Sequence, residues 1–97
     1  MNNKRRERIK ESSAKFFKIL KDAIGVYLIE LDEIRTEEIE AYDNLPESIQ
    51  GGDKGQEMQD CVDAMEEVID TLDVDCVVQN CGIDAMLTAC DIEEIEY

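Results

Sequence analysis

Two residue types are numerous enough in this 97-residue chain to suggest chemistry: four cysteines and 25 carboxylates, with no histidine. Cys61, Cys76, Cys81 and Cys90 raise the question of a metal site, but zinc sites usually bring paired ligands in C-x2-C knuckles, and no such pair is present. At about 100° per residue, Cys76, Cys81 and Cys90 point to different sides of a helix. Reduced thiols serving as small core or seam residues in a reducing compartment are the simpler reading. Redox sensing or an intersubunit disulfide is the sharper alternative. No cofactor and no metal are expected. Without His there is no triad and no histidine metal site, and the chain has neither a Gly-rich phosphate loop nor a D-x-[DN]-x-[DN]-G calcium loop. An enzyme is therefore not expected.

The carboxylates follow a pattern. Glu30, Glu33, Glu37 and Glu40 recur at steps of three and four, with Glu38 beside them. Asp60, Asp63, Glu67, Asp70 and Asp73 repeat the same spacing later in the chain, with Glu66 alongside. On a helix such neighbours stand ~5 to 6 Å apart, and like charges there are destabilising by about 0.2 to 0.5 kcal/mol a pair. Rows of this kind approach the charge density of a phosphate backbone, so a basic nucleic-acid channel is a fitting partner. The plainer reading is a merely solvated helical surface. These nine residues, Glu30 to Asp73, are the candidate partner-binding set.

The elements that must carry these rows are helices. Ile9, Phe16, Ile19 or Leu20, Ala23, Val26 or Tyr27, Leu31, Ile34 and Tyr42 fall at or near steps of three and four, which is helix period. Met58, Cys61 or Val62, Met65, Val68 or Ile69 and Leu72 repeat that spacing, close to an a/d seam. Between them stand the single Pro and three of the five Gly, all at positions 46 to 55. The spacing predicts an all-α chain: one domain over 1–97, with a first helix over 1–43, a connector over 44–55 and a second helix over 56–97 whose end is irregular. Asp53 can cap the second helix, with Gln56 closing a capping box, and Asn44 with Pro46 and Glu47 suggests a short helical turn inside the connector. Beyond Leu72 the seam loses phase. A β-branched stretch ending in Asn80, Cys81 and Gly82 predicts a break near residues 73–82, with Gly82 just past a helix end.

The formal net charge is −15, unevenly spread. Residues 1 to 21 carry eight basic residues against Glu7 and Glu11, whereas the other 76 residues hold Arg35 and Lys54 against 23 carboxylates. Folding the two helices into an antiparallel hairpin brings Arg5 and Arg6 toward Glu93, Glu94 and Glu96, which favours that register even though each exposed pair is worth only ~0.2 to 1 kcal/mol. The field speeds encounter with a basic partner and repels nucleic acid and membrane. Direct nucleic-acid binding by Lys4, Arg5, Arg6 and Arg8 is not expected, because no aromatics are interleaved with them. No apolar run reaches the ~18 residues of a membrane span. The basic start meets Glu11, Ser12 and Ser13 rather than an apolar stretch, so no secretory signal is expected and the cytoplasm is the expected compartment.

Apolar residues form the third pattern. Phe16 and Phe17 are adjacent, and Val26, Tyr27, Leu28 and Ile29 wrap most of the circumference of a helix. One hairpin buries only one side of that segment. A second copy covers the other, giving a homodimeric four-helix bundle with Phe16, Phe17, Leu20, Val26 and Tyr27 at the interface. The competing expectation is a monomer whose residues 73–97 wrap round to cover the second face.

The run Glu37-Glu38-Ile39-Glu40-Ala41-Tyr42-Asp43-Asn44-Leu45-Pro46-Glu47-Ser48-Ile49-Gln50, followed by Gly55 and Met58 and preceded by Asn3-Lys4-Arg5-Arg6, resembles a group of short acidic helical proteins of Firmicutes phages and mobile elements. The resemblance covers roughly residues 3 to 72 and departs from the group in the tail, where Cys76, Cys81, Gly82 and Cys90 lie. It implies origin, a phage or its bacterial host, and assigns no residue a role. Size, charge and that implied origin together suggest an inhibitor of a nucleic-acid-handling host protein, such as a CRISPR or other defence nuclease, acting as a DNA mimic. The alternative is a structural or accessory coiled-coil protein that recognises its partner through the apolar seam.

Overall fold

The computed structural model describes residues 2–93, 95 and 96, and Glu94 of the expected charge pairing lies outside them. Among the described residues the chain is all-α, 83% helical and without strands. Helix α1 runs Asn3–Asp43, α2 Glu47–Gln50, α3 Asp53–Thr71, α4 Val74–Asn80 and α5 Ile83–Ala89. The expected second helix over 56–97 is therefore three helices. It begins earlier, at Asp53, and its first part ends at Thr71.

The chain divides into two compact units. Unit 1 joins residues 1–25 to 72–97, and unit 2 comprises 26–71. Their composition follows from which side chains each segment buries. In unit 1, Phe17 of α1 packs with Val74 and Val78 of α4, Leu87 of α5, and Ile92 and Ile95 beyond it. Ile9, Ala14, Leu20 and Ile24 extend that stripe along α1 at helical spacing. The two short helices are punctuated by specific residues. Asp73 is the N-cap of α4, its Oδ1 accepting the backbone N–H of Cys76 at 2.7 Å. Gly82 takes φ 85° after Cys81, a left-handed conformation that glycine adopts without steric cost and that turns the chain into α5. Arg6 ties the first turns of α1 to this end of the chain, its Nε donating to the carbonyl of Cys90 at 2.9 Å. Arg6 and Lys10 also share a cleft with Asp91 and Glu93, whereas Arg5 lines a different cleft with Arg8 and Met86.

In unit 2, α2 lies between α1 and α3 in the chain. The expected helical turn forms at Glu47–Gln50, but its N-cap is Pro46 rather than Asn44, with the Pro46 carbonyl accepting from Ile49 and Gln50. Gln50 ties the connector to the end of α1, its Nε2 donating to the Tyr42 carbonyl at 3.0 Å. Ile49 stays exposed while Leu45 is half-buried. The capping box expected at Asp53 is replaced by a different start: the Gly52 carbonyl accepts the Gln56 N–H, and the Gln56 side chain reaches forward to Asp60. Gly55 is buried in the first turn of α3, hard against the backbone of Gln50. Arg35 on α1 reaches Glu66 on α3, and Ile39 and Tyr42 share an open groove with Gln59 and Val62.

Candidate functional site

The division into units sorts the charge. Unit 1 holds eight of the ten basic residues and ten carboxylates, so it is close to neutral. Unit 2 holds 15 carboxylates against Arg35 and Lys54. All 15 are exposed except Glu38 and Glu66, which are half-buried. The sequence places most positive charge at one end of the chain. The fold returns the C-terminal segment to that end and leaves unit 2 with nearly all the uncompensated negative charge.

The candidate residues of the first row, Glu30, Glu33, Glu37 and Glu40, are all exposed on α1. They lie on the side away from Leu28, Leu31, Arg35 and Tyr42, the half-buried residues that α1 gives to unit 2. The second row behaves likewise for Asp60, Asp63, Glu67 and Asp70, exposed on α3 beside the half-buried Met58, Val62, Met65 and Ile69. Asp73 is apart from these eight. It belongs to unit 1, where its side chain caps α4.

Two features of unit 2 escape a reading of spacing alone. Arg35 donates to Asp32 at 2.8 Å and to Glu66 at 3.2 Å, so the one base in this part of α1 is drawn into a local cluster. The hydrogen bond it donates to Asp32 is the main reason the guanidinium is held even more firmly protonated than usual, outweighing partial desolvation, with Glu66 adding to it. The Asp32–Arg35 spacing signals the first contact, but Glu66 is 31 positions away. The second is a groove of about 370 Å³ between α1 and α3, where Asp43 and Asp63 flank Tyr42.

The apolar candidates separate into two groups. Phe17 is 3% exposed and Leu20 packs against the unit 1 core, so both are engaged within the chain. Phe16, Val26 and Tyr27 are exposed. Of the cysteines, Cys61 and Cys81 are exposed, Cys76 is half-buried, and Cys90 lies against the unit 1 core. Among the described residues no group of three or more His, Cys, Asp or Glu side chains is arranged to hold a metal ion, and no helix is long and apolar enough to cross a membrane.

The arrangement defines an all-α protein whose distinctive surface is anionic. No family model matches the chain, nor does any curated protein or solved structure.

Proposed function

We propose that this chain is a non-catalytic interaction protein of phage or mobile-element type that acts in the bacterial cytoplasm. Its unit 2, an antiparallel helical hairpin in this reading, presents its carboxylates to a basic, nucleic-acid-binding host protein. A CRISPR effector or another defence nuclease is the target class, and inhibition follows from occupying the channel where the phosphate backbone would lie. The observation that carries the reading is the segregation of charge: 15 carboxylates against two bases in unit 2, 13 of them exposed. A protein gains nothing in stability from repulsion of this size, so selection for a partner is the natural account.

The test is nuclease cleavage of duplex DNA in the presence of this protein, with a quadruple change of Asp60, Asp63, Glu67 and Asp70 to Asn or Gln as the comparison. Inhibition that weakens with salt and is lost in the neutralised variant supports the mimic. Inhibition or binding that survives both treatments overturns it.

A second reading, a structural or accessory coiled-coil protein binding through an apolar seam, is favoured by the exposure of Phe16 and Val26. Replacing either with a polar residue then abolishes partner binding more completely than charge neutralisation does.

A further inference from the structure

We infer that the groove between α1 and α3 in unit 2 holds an apolar side chain of a basic partner segment, with Asp43 and Asp63 receiving the Lys or Arg residues on either side of it. The groove, about 370 Å³, is built by two matching triplets: Ile39, Tyr42 and Asp43 from α1, and Gln59, Val62 and Asp63 from α3. Each triplet follows the i, i+3, i+4 spacing that puts three side chains on one face of a helix. Each gives the groove an apolar floor and a carboxylate at the rim. Ile39, Tyr42 and Val62 are half-buried, whereas Asp43, Gln59 and Asp63 are exposed. All six lie within unit 2.

Charge complementarity decides the occupant. Three carboxylates of unit 2 are already engaged: Asp32 and Glu66 hold Arg35, and Asp60 accepts from Gln56. Among the described residues the Asp43 and Asp63 side chains accept no hydrogen bond and form no ion pair. An anionic ligand is repelled by both. A small cation pairs with the carboxylates but gains nothing from Ile39 and Val62, which strip its hydration. A wholly apolar ligand suits the floor and leaves two carboxylates partly desolvated without partners. An apolar residue between two bases answers the floor and the rim together.

The inference rests on the proposed function only in taking the partner to be basic, and it deepens that reading. Phosphate mimicry needs no apolar floor. A groove that has one selects, among basic surfaces of similar charge, those that carry an apolar residue between their bases.

The test is an NMR titration of the full, isotope-labelled chain with a synthetic alanine-rich helical peptide that carries one central leucine and a lysine one turn to each side. Amide shifts are expected to gather at the groove residues. A second peptide with alanine in place of the leucine is expected to bind about tenfold more weakly through lost apolar burial. Asp43→Asn, which lies outside the quadruple neutralisation above, and Val62→Thr, close in size but polar, are each expected to weaken the leucine peptide several-fold. If Val62→Thr fails to fold, the two peptides on the wild type still decide. Equal affinity for both peptides overturns the inference and leaves phosphate mimicry standing; a groove that binds as expected in a protein that inhibits no nuclease does the reverse. Absence of binding, or shifts that gather elsewhere, also overturns it. So do groove shifts that grow with protein concentration before any peptide is added, because a second copy is then the occupant.

Discussion

Gly55 lies so close to Gln50 that a Cβ added to it would stand 2.5 Å from the Gln50 carbonyl carbon and 2.8 Å from its Cα. The first turn of α3 thus passes directly over the last residue of α2, and only a glycine fits at the crossing. Because Gln50 also holds the end of α1 through Tyr42, this approach sets how the connector joins its two long helices. Gly55→Ala is expected to destabilise unit 2 by about 1 to 3 kcal/mol even though alanine is the better helix former. Gly25→Ala is the matched control: nothing lies within 4 Å of the added Cβ, so a gain of about 0.5 to 1 kcal/mol is expected. Thermal melts should therefore shift in opposite directions for the two changes.

Phe17 is the least exposed of the six buried apolar residues of unit 1. Phe17→Ala removes the largest side chain from a core with few others, at a cost of about 3 to 5 kcal/mol. Hydrogen exchange is the direct measurement. Protection should fall in α4 and α5, whose Val78 and Leu87 share that core; retained protection there would mean that the two short helices are held by something other than α1.

Asp73→Ala deletes the side-chain acceptor for Cys76 N–H, and the loss is expected to be about 1 kcal/mol. Asp73→Asn should restore most of it, since an Asn oxygen accepts the same bond. The same pair of variants tests whether Asp73 belongs to the partner-binding set: both should leave partner affinity nearly unchanged, in contrast to changes at Asp63 or Glu67.

Arg35→Ala leaves Asp32 and Glu66 without their shared base. The contacts are largely solvent-accessible, so the expected loss is modest and smaller at high salt. The pH dependence has a definite sign. A cation whose pKa is raised on folding adds stability that is complete below its unfolded value and is lost only as pH rises through the folded one. For an arginine that window lies above the range of ordinary buffers, so the gap between wild type and R35A should stay flat from neutral pH to about pH 10. A gap that closes as pH rises within that range would contradict the assignment.

Much of this protein is legible along the chain. The 3.6-residue period of Ile9 to Tyr42 and of Met58 to Leu72 specifies helices because apolar residues at those steps share one face. Pro46 with the glycines to Gly55 marks where the first long helix gives way to the next, and the β-branched run ending at Gly82 marks the broken end. Carboxylate rows are equally plain, since i, i+3 and i+7 positions on a helix are neighbours whatever surrounds it. Capping is less plain. Asn44 and Asp53 have the right chemistry, but Pro46 and Gly52 hold the positions, because the close pass of Gly55 over Gln50 fixes where each helix starts.

Only tertiary structure decided which charges stand together and which apolar residues are already occupied. Phe16 and Phe17 are neighbours of one type, yet one is exposed and the other buried, because adjacent residues on a helix point about 100° apart and α4 and α5 cover just one of those directions. The same packing brings Arg6 to Cys90, 84 residues away, and so gathers the basic start and the acidic tail into one nearly neutral unit. Local spacing fixes what lies along a helix face, whereas the balance of charge within a folded unit depends on contacts between segments far apart in sequence.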